Sequence, residues 1–338
     1  MELEDTVGGY AAEVMGDCPS EESPAVVRFP AGNRHAVYKV SYRNLADEGR
    51  AVVVRLSLLD DAAERAQAGV EAAVLRELAG TAAPLLYDFR AESRWFPAPV
   101  MCMEFIDGDQ RALASASLDD VERLGQATAS VHNLPVDNVA DFFPGPNRLA
   151  AYAQERLELN AGYLPRLRDP LPADVRSRLD RAFSQVAAAA EWAARAGMFT
   201  AEEPLALLHG DAADGNIFWS KQPVLIDWEY ARLGDPADEV AYIFGQHALN
   251  GAQRSAFWRG YRRTSHARHL DQVVERAKWW EPVLLLGSSL WWLERWSRRV
   301  DADAAGEIDP AAPKPPEYYL EHASRRLDRL LATGPNAE

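Results

Sequence analysis

The chain has 338 residues, 48% hydrophobic and 26% charged, a balance that excludes a disordered protein and allows one large domain or two smaller ones. Lys and Arg number 36 against 51 Asp and Glu, and the net charge of −15 argues against nucleic acid, whose binding rests on cations that neutralise phosphates. Two cysteines make no disulfide framework, and no apolar leader or bilayer-length apolar run is readable, so a cytoplasmic protein without membrane insertion is expected.

In chain order, three strands come first. AVVRF (25–29) and AVYKVSYR (36–43) are β-branched and aromatic, with PAGNRH between them as a turn, and RAVVVRLSLL (50–59) follows NLADEG. DDAAERAQAGVEAAVLRELAG (60–80) predicts a helix, acidic in its first turn and ended by Gly80, with Val70, Val74, Leu75 and Leu78 as its apolar stripe. Glu71 lies four and seven residues before Leu75 and Leu78, which turns it towards the packed side. LLYDFR (85–90) and PVMCMEFI (99–106) predict two more strands before DGDQ breaks the pattern. After Gly108 the composition becomes helical: helices are expected over 118–134, 147–168, 172–197, 252–263 and 270–300. A Pro/Ala-rich linker (300–316) and a closing helix (317–331) follow. The expected division is a strand-rich lobe over 1–108 and a mostly helical lobe over 109–338, interrupted by one hairpin, NIFW–SKQP–VLID (216–227).

That hairpin sits inside HGDAADGNIFWSKQPVLIDW (209–228), which crowds Asp211, Asp214, Asn216 and Asp227 around a short apolar segment. Clustered carboxylates repel one another and lose hydration, so they call for an ion or a task. With the turn centred on Lys221 and Gln222, Asn216 faces Asp227, their Cα atoms roughly 4.5–5.5 Å apart. An amide oxygen opposite a carboxylate offers hard ligands for Mg²⁺. Asp211, just outside that pair, suits the orientation of an attacking hydroxyl in phosphoryl transfer.

HGDAADGN followed by LIDWEYARLGDPADEVA resembles the aminoglycoside phosphotransferase and choline kinase group, relatives of protein kinases. The resemblance spans about Val26 to Leu331 and implies an α+β, two-lobed protein-kinase-like fold. Its small lobe is an antiparallel sheet with one main helix, and its larger lobe is mostly helical. It implies that Asp211 is catalytic, that Asn216 and Asp227 are Mg²⁺ ligands, that His209 holds Asp211 in place, and that Asp235 braces the loop. It implies that Arg55 contacts phosphates with Glu71 as its partner, that Asn33 in AGNRH belongs to the phosphate-covering loop, and that Met103, Glu104 and Ile106 form the adenine hinge. The expected donor is ATP or GTP. The expected acceptor is a hydroxyl on a small, amine-bearing molecule, an antibiotic such as an aminoglycoside first and choline, ethanolamine or thiamine second. Asp214, Glu229, Gln246, Trp291, Trp292 and Trp296 are the candidate acceptor residues.

Two features depart from a choline kinase. Gln246 stands where that pattern carries an acid, and the tryptophans at 291, 292 and 296 are spaced differently. Six of the ten tryptophans lie between Trp258 and Trp296, where core packing competes with a cation–π pocket. The rival readings are a metallohydrolase built on His209, Asp211 and Asp227, which needs a second clustered histidine, and a silent nucleotide-binding pseudokinase. No Walker A pattern is present.

Overall fold

The computed structural model describes residues 3–16, 24–30, 34–42, 50–199, 203–309 and 311–332. They fall into two compact units, neither continuous in sequence: Met1–Phe143 with His209–Arg232 and Gly251–Ser265, and Pro144–Leu208 with Leu233–Asn250 and His266–Glu338.

The first unit is built on an antiparallel five-stranded sheet in the order β1-β2-β3-β5-β4. Its strands are β1 (Ala25–Arg28), β2 (His35–Tyr42), β3 (Arg50–Ser57), β4 (Leu86–Arg90) and β5 (Val100–Glu104). Alternation decides which face each residue serves. Val52, Val54 and Leu56 of β3, with Tyr38 and Val40 of β2 and Val100 and Cys102 of β5, form one buried core with Val7, Tyr10 and Ala11 of helix α1 (Leu3–Met15). The intervening residues Val37, Val53, Arg55 and Met103 line a cavity instead. The sheet therefore has an apolar side closed by α1 and a mixed side that meets Glu71 of the next helix and the cavity.

Helix α1 has no counterpart among the expected elements. Gly8 and Gly9 each cost about 1 kcal/mol of helix propensity against alanine. They serve close packing: a Cβ on Gly9 would lie 2.8 Å from the Trp95 indole. Helix α2 (Ala62–Glu77) starts where the Asp61 carboxylate accepts the Glu64 N–H at 2.9 Å, and it buries Glu64, Ala68, Glu71, Ala72, Val74 and Leu75.

The first unit also holds α3 (Leu118–His132), the hairpin β7 (Ile217–Trp219) and β8 (Pro223–Leu225), and α7 (Gly251–Thr264). Helices α3 and α7 meet backbone to backbone. A Cβ on Gly125 would overlap the Phe257 carbonyl, and one on Gly260 the Glu122 carbonyl.

In the second unit, α4 (Leu149–Ala161), α5 (Ala173–Arg195), α6 (Pro236–His247), α8 (Leu270–Ala305) and α9 (Pro316–Ala332) accompany a short pair of strands, β6 (Ala206–Leu208) and β9 (Arg232–Gly234). Trp280, Val283, Leu286, Leu290 and Leu293 of α8 are fully buried, as are Tyr319, Ala323, Leu327 and Leu330 of α9, spaced along one helical face. The expected linker is partly helical: α8 runs on to Ala305 and stops at Gly306, whose φ of 71° suits a glycine at a helix end.

Candidate active site

The hairpin corrects the sequence arithmetic by one residue. Ile217 pairs with Leu225, Phe218 with Val224 and Trp219 with Pro223, so Asn216 faces Ile226 and not Asp227. The loop holds three residues, Ser220 to Gln222, closed by the Ser220 hydroxyl on the Gln222 carbonyl. A slip of one residue turns a strand's side chains to the other face. Asp227 escapes that consequence because its backbone leaves the strand in the left-handed region, φ 65° and ψ 67°. Such a conformation costs a non-glycine residue on the order of 1–3 kcal/mol, a strain that tends to collect at functional sites.

The loop ahead of the hairpin is held from below by His209, which is fully buried. Its Nε2–H donates to the Ile226 carbonyl at 2.8 Å, and its Nδ1 accepts the Asp211 N–H at 3.2 Å, which fixes the tautomer. Ile226 in turn donates its N–H to the Asn216 carbonyl at 3.0 Å. Gly210, with φ 83°, passes so close to the Tyr230 carbonyl that any side chain would collide. Asn216 Nδ2 donates to the Asp211 carbonyl oxygen at 2.9 Å and to Asp211 Oδ2 at 3.1 Å. The amide nitrogen is thereby committed to Asp211, and the amide oxygen Oδ1 has no partner among the described residues.

Arg55 reaches this site from β3 and Glu71 from α2. The guanidinium bonds Glu71 Oε2 through Nη2, approaches Asp227 Oδ1 at 3.3 Å through Nη1, and contacts Met101 Sδ at 3.3 Å. Glu71 Oε1 accepts the Trp228 N–H at 3.2 Å, so one buried carboxylate positions both the arginine and the turn that carries Asp227. Lost hydration pushes the Asp227 carboxyl above its ordinary value, with Arg55 opposing and Glu71 adding to the shift. Glu229 is raised for the same first reason, then by Asp227. Two carboxyls raised side by side mark a place where a further cation would be favourable.

Asn216 Oδ1 and the Asp227 carboxylate are hard oxygen donors of the kind Mg²⁺ accepts, and so few protein ligands fit an ion that keeps waters and takes substrate phosphates. Among the described residues no group of three or more His, Cys, Asp or Glu could hold a metal ion, so the second histidine that a metallohydrolase needs is not found there.

These residues open on a cavity of about 910 Å³ within the first unit, lined by Arg34, His35, Arg55, Glu71, Asn216, Asp227 and Glu229 at one end. At the other end lie Met103, Glu104, Phe105 and Ile106. Glu104 ties itself to Leu85 twice: its N–H donates to the Leu85 carbonyl at 2.8 Å and its carboxylate accepts the Leu85 N–H at 3.1 Å. The Ile106 backbone has no hydrogen bond among the described residues. Asn33 lies outside the described residues.

Sequence reasoning missed the contribution of Arg34. Its guanidinium bonds Glu64 Oε2 at 2.7 Å, Gln67 Oε1 at 3.3 Å and Glu229 Oε2 at 3.3 Å, while Gln67 donates to the Glu229 carbonyl. Arg34 belongs to the quoted AGNRH, but its partners are 30 to 195 positions away, beyond any local pattern. Asp214, offered as an acceptor residue, accepts the Leu113 N–H at 2.8 Å.

The other site candidates lie in the second unit. Asp235 is fully buried at the start of α6, where it accepts from Ala237 N at 3.1 Å, Arg276 Nε at 2.8 Å and Trp280 Nε1 at 2.9 Å. Trp296 is buried, Trp291 carries the Arg295 guanidinium 3.8 Å above its ring, Trp292 stacks on His322 at 4.5 Å, and Gln246 accepts from Arg326 at 3.2 Å.

An antiparallel five-stranded sheet, an arginine on its third strand paired to a helix glutamate, and a helical remainder define the protein-kinase-like fold. Residues 25–280 match the phosphotransferase enzyme family, and the chain belongs to that family and is a phosphotransferase. Among solved structures, a choline/ethanolamine kinase family protein from Mesorhizobium loti is 18% identical at a TM-score of 0.59, covering 98% of this chain and 96% of its own. A macrolide 2′-phosphotransferase from Brachybacterium faecium is also 18% identical, at a TM-score of 0.61 over 97% and 98% of the two chains. Spectinomycin phosphotransferase, solved with ADP and spectinomycin, is 12% identical at 0.53 over 92% and 93%. At these identities the likeness is one of fold. No curated protein sequence matches this one.

Proposed function

We propose that the protein transfers the γ-phosphoryl group of a nucleoside triphosphate, ATP or GTP, to a hydroxyl on a small molecule, with Mg²⁺. The observation that carries this reading is the amide bridge from Asn216 Nδ2 to Asp211 Oδ2 at 3.1 Å, beside an Asp227 that shares Arg55 with Glu71. Asp211 holds the acceptor hydroxyl and takes up its proton as the oxygen bonds to phosphorus and the bond to the diphosphate breaks. Asn216 keeps one oxygen of that carboxylate fixed, and His209 holds the Asp211 N–H from beneath. Asn216 Oδ1 and Asp227 would hold Mg²⁺, and the bound ion would supply neutralisation of phosphate charge. Arg55, aligned by Glu71, offers donors to the phosphates. The base lies between Val37, Val53 and Met103, and the Ile106 N–H supplies it with a donor.

The acceptor we favour is an antibiotic, with an amino alcohol second, since structures of similar fold include antibiotic phosphotransferases and a choline/ethanolamine kinase family protein. A cytoplasmic location agrees with a nucleotide donor, and among the described residues no helix is long and apolar enough to cross a membrane. Asp214 and Glu229 have protein partners, so a positive charge on the acceptor forms no part of the proposal.

Calorimetry with non-hydrolysable ATP and GTP analogues is the test. Binding should require Mg²⁺ and weaken in Asn216→Ala and, more strongly, in Asp227→Ala. Mg²⁺-independent binding, or none, would overturn the reading before any acceptor is screened.

A further inference from the structure

Arg326 on α9 is a half-buried guanidinium with no carboxylate within ion-pair distance among the described residues. The neighbouring acids of its helix are committed elsewhere, Glu321 to Arg325 and Asp328 to Arg178. Arg326 bonds only neutral acceptors: Gln246 Oε1 at 3.2 Å through Nη2, and the His322 carbonyl at 3.1 Å and Nδ1 at 3.4 Å through Nη1. Lost hydration lowers its pKa, Tyr242 and Tyr318 oppose that shift, and the like charges of Arg329 and Arg325 add to it. His322 is likewise held below its ordinary value, first by burial and then by Arg326.

A guanidinium carries five N–H donors. The three bonds to Gln246 and His322 leave Nε–H and a second Nη2 proton, and a carboxylate takes two such donors side by side. Aromatic surface adjoins them. Arg326 lies 5.3 Å from the centre of the Trp292 ring, Trp292 stacks on His322 with 17° between the planes, and Tyr318 leans on His322 at 4.4 Å. Trp292 and His322 are half-buried and Tyr318 is 37% exposed, so the patch is open to a small molecule.

Trp292 itself is packed by Trp291, Tyr319 and His322, which leaves Tyr318 as the exposed ring. We propose that this patch of the second unit is a binding site for a small organic acid, whose carboxylate bonds Arg326 and whose flat body lies against Tyr318. Nothing in it depends on phosphoryl transfer.

The test uses the full-length protein with benzoate, phenylacetate and indole-3-acetate, each beside its neutral amide, followed by calorimetry and tryptophan fluorescence. At least one acid should bind, with its amide on the order of tenfold weaker or worse, since hydrogen bonds to a charged group carry most of the affinity. Arg326→Gln should lose that preference. Gln246→Glu builds the missing acid into the protein: it should raise Tm, leave the circular dichroism unchanged and abolish binding of the acid. Equal binding of acids and amides, no acid bound at millimolar concentration, acid binding that survives Gln246→Glu, or a Tm lowered by that change would each overturn the site.

Discussion

Two arginines, Arg55 in the first unit and Arg276 in the second, each stand between two acids, and the contrast between them separates an open cluster from a sealed one. Arg276 is fully buried between Asp235 and Glu203, and Asp235 is closed on every side by Arg276, Trp280 Nε1 and the Ala237 N–H. No room is left for a ligand at Asp235. Arg55 is also buried, with Glu71 sealed behind it, but its other acid is Asp227, half-open to a cavity, on strained backbone, with a carboxyl raised by lost hydration. Residue types are the same in both clusters. What differs is whether the hydrogen bonding of the carboxylate is complete within the protein.

The largest expected effect tests the open cluster. Asp211→Ala should lower kcat by roughly 10²–10⁴-fold, the usual contribution of a positioned base, and leave Mg-nucleotide affinity unchanged. Turnover within a few-fold of wild type would remove Asp211 from the chemistry.

Next comes the sealed cluster. Asp235→Ala strands the buried Arg276 beside Glu203 alone, and removing one member of a buried pair costs about 3–5 kcal/mol. Urea unfolding should show that loss. A change under about 1 kcal/mol would mean that Arg276 is not braced as described.

A smaller effect sharpens the contrast. Arg55→Ala should raise the nucleotide KM about tenfold, as loss of a hydrogen bond to a charged group would, and Arg55→Lys should recover part of it because charge returns without the fork. If Arg55→Ala damages stability as Asp235→Ala does and leaves KM alone, the two clusters are of one kind.

The smallest effect marks the solvent-exposed limit of the same pairing. Glu13 of α1 accepts from Trp95, Arg94 and Arg90, hydrogen bonds that bring its pKa from 4.5 to about 2. A carboxyl depressed in the folded state contributes stability above its unfolded pKa and loses it as pH falls, here between about 4.5 and about 2. Glu13→Gln should lower Tm slightly at neutral pH, where the ionised carboxylate contributes in full, and flatten its decline across that window.

Much of this contrast was legible in the residues. The β-branched and aromatic runs that became β2 and β3 and the apolar stripe around Glu71 are local patterns, and both are found in the structure. The spacing of Asp211, Asn216 and Asp227 brought them to one loop and hairpin, though the pairing was one residue off because turn length is set by three polar residues with no marked preference. Helix α1 was hidden by Gly8 and Gly9, whose value lies in close packing, Gly8 against Pro24 and Val26 and Gly9 against Trp95, and not in propensity. Arg34 and Arg326 were invisible for another reason. Their meaning depends on which acids reach them, and that is decided by segments far away in the chain.

The interleaving of the two units has a consequence for biosynthesis. The sheet ends with β5 at Glu104, but Asp211, Asn216 and Asp227 follow more than a hundred residues later, and α7, which rests on the glycine of α3, ends only at Thr264. A nascent chain emerges at roughly 5–20 residues per second, so the first unit waits for seconds with its partners still inside the ribosome. Its α3 presents an uncovered small-residue face for that whole interval, as the tunnel delivers the second unit's early helices first. A chain stopped before α7 begins at Gly251 would lack the partner of that face, so the first unit is not complete at its own sheet. It is completed by the last segment to arrive.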